Sequence, residues 1–510
     1  MKKCLLSDIS LKSNFLGPQA ENSSFLFSLF AELLTQHSQW RKSLFPKDGS
    51  AISTEDLSNL HYLNAQKKLI LLVDKLSTDF QKEIPHFSPR YMGHMFSETS
   101  LPGLLGHVTA LLYNPNNISM ESSRVGLKIE ANAIRSLYKM LKWRSGIGHL
   151  TSGGTIANLE ALLRMRAKLP TNQWANAKLL TSSAAHYSWK KNLKILGFPE
   201  SAFLEVPLDS KGRLSISYLK KILLNLKDPI LGIVTLYGST ERGTIDDIYK
   251  VAQLITNHKK HIWHHVDAAY GGFYACVKAK PNSHLEKQTI ALQKVDSLTL
   301  DPHKLGYVPY GCGAFLCRQR KKYFYSDIKA PYIQFQSAQE AGVQSVEGSR
   351  PATGAAATWL TAKSLGFHDK GLGRVLEKQL QAKTSFQKIL SHNVDGLLFT
   401  EGLDLNILCW TVLPDSKKLS RSNKWVDLIF KLLPLQNPPY FVSKTSLPLE
   451  KHPWLMQQLL KAGMILDSES CHLVRMTLMN PFLITKETQT QFTREFSNIL
   501  DSISKSNTIK

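Results

Sequence analysis

Thr151-Ser152-Gly153-Gly154-Thr155 opens a helical run over residues 156–168. Glycines let a backbone approach an anion closely, and the free N–H groups and dipole of a helix start attract negative charge. Thr155 adds a hydroxyl. The same residues serve equally as a plain helix cap after a turn. No Walker lysine and no G-x-G-x-x-G spacing accompany them, which disfavours a nucleotide. In His265-Val266-Asp267-Ala268-Ala269-Tyr270-Gly271-Gly272, an apolar strand ends on a carboxylate followed by small residues. Open α/β sheets bind ligands at strand C-terminal ends. Asp267 could there pair with a cationic ring nitrogen, and Ala269 leaves room for a flat ring. Asp301-Pro302-His303-Lys304-Leu305-Gly306-Tyr307 also follows a predicted strand, and Lys304 is a candidate nucleophile. Taken alone, it is an ordinary surface lysine. His186 follows a strand at 178–182 and could stack on a ring; taken alone, it is a loop histidine.

An anion cradle, a carboxylate and a lysine at three strand ends of one layer match the phosphate, pyridinium and aldehyde of pyridoxal 5'-phosphate. The elements that must position them are legible. Short apolar runs at Lys178–Ser182, Pro229–Leu236, His261–Val266, Asp296–Leu300 and Gly313–Cys317 alternate with helical patterns from about 120 to 318. That alternation predicts an α/β fold with a mostly parallel sheet. Residues 22–80 predict amphipathic helices, with Phe25, Leu26, Leu29, Phe30, Leu33 and Leu34 at helical spacing. Residues 85–103, with prolines at 85, 89 and 102, predict an irregular functional segment. The expected organisation is an N-terminal helical segment (1–118), a large cofactor domain (119–385) and a small C-terminal domain (386–510).

Composition excludes several classes. The 510 residues are 43% hydrophobic and 20% charged, an ordinary globular balance. Six scattered cysteines without a Cys-x-x-Cys pair argue against a disulfide framework and a structural zinc. Strand alternation places His261 and His265 on one face and His264 on the other, so no metal is expected. The net charge of +23 could suit nucleic acid, but the lysines are spread along the chain. The cluster Arg318-Gln319-Arg320-Lys321-Lys322 predicts a solvated loop, and no nucleic-acid partner is expected. No apolar run approaches the ~18 residues of a membrane span, and Asp8 and Ser10 interrupt the apolar start before a signal peptide forms. A soluble, cytoplasmic protein is expected.

TSGGT, HVDAAYGG and DPHKLGYVPYG, in this order and spacing, resemble the group II pyridoxal-phosphate-dependent amino-acid decarboxylases of fold type I. The resemblance runs from about residue 85 to 482. Pro89–Met95, Leu112–Asn117, Glu347–Arg350 and Arg475–Pro481 most resemble bacterial tyrosine decarboxylases and related archaeal tyrosine/aspartate decarboxylases. It implies a central sheet with helices on both faces and a small C-terminal α+β domain. It also implies that Lys304 binds the cofactor covalently, Asp267 keeps its ring nitrogen protonated, and His186 and Ala269 pack its two faces. Gly153, Gly154 and Thr155 would hold the phosphate; Thr240, Asp246 and His303 would lie near the cofactor. His94 and Arg475 match substrate-site positions. A proton must reach the substrate after carbon dioxide leaves, and Tyr332 is the first candidate donor, Tyr310 the second. The resemblance further implies a homodimer acting on a small amino acid, tyrosine above others. A decarboxylase of glutamate or aspartate, a carbon–carbon lyase resembling sphingosine phosphate lyase, and a non-catalytic binding protein are the competing expectations. Retention of Lys304, Asp267 and His186 opposes the last.

Overall fold

The computed structural model describes residues 8–259, 261–325, 341–483 and 486–506. Its main sheet contains β2 (Ile147–Thr151), β3 (Lys178–Ser182), β4 (Phe203–Val206), β5 (Ile230–Leu236), β6 (His264–Asp267), β7 (Ser297–Leu300) and β8 (Gly313–Cys317). A second sheet contains β1 (Tyr91–Met92), β9 (Leu397–Phe399), β10 (Ile407–Val412), β11 (Phe441–Pro448) and β12 (Ser470–Thr477).

The main sheet has the order β2-β8-β7-β6-β5-β3-β4. Strands β3 to β7 pair in parallel, and β8 runs antiparallel to both β7 and β2. Parallel strands need crossover helices, so both faces are covered and the central strands β5 to β8 are buried nearly end to end. Leu179, Leu180, Ile233, Val234, Val266, Leu298 and Leu300 are all buried. Lys178–Ser182 and Gly313–Cys317 coincide with the expected strands, and the other three begin one to three residues later than expected. β2 and β4 were not expected. Gly148 and His149 mask β2, yet Gly148 is required there: a Cβ would lie 2.2 Å from the Phe315 carbonyl oxygen. His264 and His265 are buried core residues, bonded to Thr235 Oγ1 (3.0 Å) and Ser297 Oγ (2.8 Å). Burial pushes their pKa values down to about 4 and about 3.

The second sheet has the order β1-β11-β12-β10-β9. Helix Leu372–Asn393 leads into it, and helix Lys486–Ser506 closes its core with Phe496 and Leu500 beside Trp410 and Val474. At the N-terminus, Leu11 and Phe15 join the main core. Helices Ser23–Leu44 and Leu60–Phe80 do not: the first buries Leu26 alone and the second buries nothing. Among the described residues, no helix is long and apolar enough to cross a membrane.

Candidate active site

Parallel strands place their C-terminal ends on one edge of the sheet. The loops after β2, β3, β5, β6 and β7 meet there around a cavity of about 410 Å³. Its lining includes Gly153, Gly154 and Thr155 after β2, His186 after β3, Thr240 after β5, Asp267 and Ala269 at the end of β6, and His303, Lys304 and Tyr310 beyond β7. Ten of the residues singled out from the sequence thus share one cavity.

Helix Gly154–Ala167 begins without any side-chain cap, so its first N–H groups face the cavity end unclaimed by a cap. Gly154 must lack a side chain: a Cβ would lie 2.7 Å from Asp301 Oδ2 and 3.2 Å from the Ala269 Cβ.

Asp267 is buried and well supported. Its Oδ2 accepts from Asn158 Nδ2 at 3.0 Å and from Trp189 Nε1 at 2.9 Å, and its Oδ1 accepts from the Ala269 N–H at 3.2 Å. Asn158 also donates to Ser188 Oγ at 3.1 Å, and Ser188 Oγ lies 2.8 Å from His186 Nδ1. The Ser188 N–H donates to the same Nδ1 at 3.3 Å, which leaves the imidazole proton on Nε2. One amide therefore fixes both the carboxylate and the imidazole. Burial lowers the His186 pKa, against the pull of Asp267.

Lys304 Nζ lies 3.0 Å from Asp301 Oδ2, which is also 3.6 Å from His303 Nε2. His303 Nδ1 accepts from the Cys312 N–H at 3.2 Å, and its ring stacks on Tyr310 at 4.3 Å. Burial lowers the His303 pKa and pushes that of Tyr310 up to about 12, so the phenol keeps its proton at neutral pH.

Three other residues lie elsewhere. Asp246 is buried away from the cavity lining; its two oxygens accept from the Leu214 and Leu236 N–H groups, each at 2.8 Å. Burial raises its pKa to about 6. It secures the end of β5. His94 reaches the cavity only through other rings: it stacks on Phe96 at 6.4 Å, and Phe96 meets Tyr310 edge-on at 6.2 Å. Arg475 is buried on β12, donating to Ser443 Oγ at 3.0 Å and the Gly93 carbonyl at 3.4 Å. Tyr332 lies outside the described residues. Asn158, Trp189, Ser188 and Asp301 were not singled out from the sequence. Asp301 stood in a quoted motif without a role; the other three acquire theirs only through the fold.

A family model, the pyridoxal-dependent decarboxylase conserved domain, matches residues 55–410. The chain belongs to that family. It is 29% identical to an L-tyrosine decarboxylase of Enterococcus faecium, with 76% of this chain and 78% of that protein covered. It is 28% identical to an L-tyrosine decarboxylase of Levilactobacillus brevis, over 72% and 73%. Among solved structures, mouse CSAD matches with a TM-score of 0.71 at 19% identity, over 90% of this chain and 91% of that chain. Catharanthus roseus tryptophan decarboxylase matches with a TM-score of 0.68 at 16% identity, over 95% and 98%. These establish fold type I and a pyridoxal-phosphate-dependent amino-acid decarboxylase. The residues present fit that cofactor: an uncapped helix start beside a glycine that admits no side chain, a supported buried carboxylate, and a lysine in the same cavity.

Proposed function

We propose that this chain converts an aromatic L-amino acid, tyrosine before others, to its amine and carbon dioxide. The observation that carries the reading is the convergence of Lys304, Asp267 and the uncapped start of helix Gly154–Ala167 on one cavity. Pyridoxal phosphate supplies an electron sink for the bond to the departing carboxylate. The protein's part is orientation and charge. Lys304 anchors the cofactor. Gly153, Gly154 and Thr155 hold its phosphate, and Asp267 faces its ring nitrogen. His186 and Ala269 hold the ring's faces, with Thr240 and His303 beside it. Tyr310 on the cavity lining, with the Phe96 and His94 rings behind it, favours an aromatic side chain, in keeping with the bacterial tyrosine decarboxylases among the relatives. Tyr332 is the first candidate proton donor, and Tyr310, a protonated phenol lining the cavity, is the second. Arg475, a buried guanidinium one strand from the segment 91–95, is the candidate for a substrate carboxylate.

The active unit is a homodimer. Leu69, Ile70, Leu71, Leu72 and Val73 are each more than half exposed on helix Leu60–Phe80, and a second copy would bury them. Residues 1–118 then serve assembly, 119–385 hold the cofactor and 386–510 form the smaller domain. Cys276, Cys312, Cys317, Cys409 and Cys471 are buried and unbridged, which suits a cytoplasmic location.

The test is amine and carbon dioxide detection after incubating purified protein and pyridoxal phosphate with each of the twenty amino acids. Tyramine as the main amine is expected. Amine from aspartate or glutamate but not from tyrosine would overturn the aromatic reading, and no amine from any would overturn the decarboxylation.

A further inference from the structure

Asp301 is nearly fully buried yet lines the cavity. Its Oδ2 meets the Lys304 amine at 3.0 Å, and its Oδ1 is buried without a partner. The backbone fixes the pair. The Asp301 N–H donates to the Ala269 carbonyl at 3.2 Å, and the Lys304 N–H donates to the Asp301 carbonyl at 3.0 Å. The carboxylate and the amine therefore sit on one turn, three residues apart. The other groups near this carboxylate include the His303 ring, Tyr310, His186, Cys312 and the Gly154 backbone.

We propose that Asp301 is a positioning residue that holds the Lys304 ammonium whenever the lysine is not attached to the cofactor. The inference rests on pyridoxal phosphate being bound through Lys304. When an incoming amine takes the lysine's place, the bond from the cofactor's aldehyde carbon to Nζ breaks and one to the entering nitrogen forms. An entering ammonium loses two hydrogens and the departing lysine gains two, so Lys304 leaves as an ammonium ion. A cation released into a half-closed cavity needs a counter-ion. Asp301 is within hydrogen-bond distance, and its position on the same turn keeps the lysine nearby for its return.

The test is an exchange equilibrium in the loaded enzyme rather than turnover, and it uses methylamine, so it does not depend on which amino acid is the substrate. Wild type and Asp301→Asn are titrated with methylamine and quenched with borohydride. Mass spectrometry then gives the share of cofactor fixed to Lys304 against the share fixed to methylamine. Without the carboxylate the released ammonium is less stabilised, so Asp301→Asn should need about tenfold more methylamine for half-transfer, the low end of what a hydrogen bond to a charged group is worth. In a Lys304→Ala background no lysine is released, and Asp301→Asn should leave methylamine binding unchanged. Equal half-points for wild type and Asp301→Asn overturn the proposal. So does an equal shift in the Lys304→Ala background, which would place the effect on the cofactor or on the fold. Should Asp301→Asn not fold, Asp301→Ser goes through the same titrations. A wild-type enzyme with no label on Lys304 before methylamine refutes the attachment, and the proposal with it.

Discussion

Asp267→Asn separates the two jobs of one carboxylate. Its Oδ2 receives two donors, Asn158 Nδ2 at 3.0 Å and Trp189 Nε1 at 2.9 Å. An asparagine that keeps its oxygen towards the Ala269 N–H presents an NH2 to both donors. Asn158 can answer by flipping, because its own Oδ1 is buried without a partner. The Trp189 indole only donates, and it is left unpaired at a fully buried position. That costs about 1–3 kcal/mol of stability. The catalytic cost is separate. Removing one partner of a buried charge pair costs about 2–5 kcal/mol, and each ~1.4 kcal/mol is tenfold in rate. Turnover should therefore fall roughly 30-fold to several thousand-fold. The assays are urea unfolding of the loaded enzyme and release of labelled carbon dioxide. Trp189→Phe removes the orphaned donor, so in that background Asp267→Asn should cost less stability than it does alone, while the rate loss persists. Wild-type turnover in Asp267→Asn refutes the role given to the charge. Rate loss that vanishes in the Trp189→Phe background refutes the separation of charge from packing.

Lys304→Ala should bind pyridoxal phosphate without a borohydride-fixable adduct, and a trapped adduct on the variant protein would refute the lysine assignment. Tyr332→Phe should raise side products, such as aldehyde or aminated cofactor, relative to amine, with little change in substrate affinity. If Tyr310→Phe shows that defect instead, the proton donor is Tyr310. His264 and His265 remain neutral in the fold well below the usual histidine range. Between about pH 6.5 and pH 4 the unfolded chain therefore binds more protons at these two residues, and their contribution to stability falls as pH falls. His265→Asn should flatten the pH 5–6 slope of unfolding free energy by about 1.4 kcal/mol per pH unit, and an unchanged slope would contradict the burial argument. Leu71→Glu on the exposed apolar helix should halve the mass seen by light scattering, and a wild-type monomer would remove the proposed dimer.

The sequence exposed residues whose chemistry is local, and it hid those whose chemistry is borrowed. Lys304 and Asp267 each end or follow an expected strand and Gly154 opens a helix; the needs of one cofactor joined the three, and a parallel sheet carries them to one edge. β2 escaped because Gly148 weakens its strand character, although the glycine is there to admit the Phe315 carbonyl. Asn158 and Trp189 escaped for a different reason. They lie 109 and 78 residues from the carboxylate they hold, on helices whose own sequences carry no sign of it.

Asp246 shows the converse. Its motif position matched a place near the cofactor, but both its oxygens are taken by backbone N–H groups of residues 214 and 236. Asp246 does not line the cavity; what it does is hold the end of β5, from which Ser239 and Thr240 reach the cavity. Motif spacing therefore locates a residue along the chain, while its place relative to the cavity decides whether it can act. On that criterion Asp301, which lines the cavity with one oxygen on Lys304, is placed for chemistry and Asp246 is not.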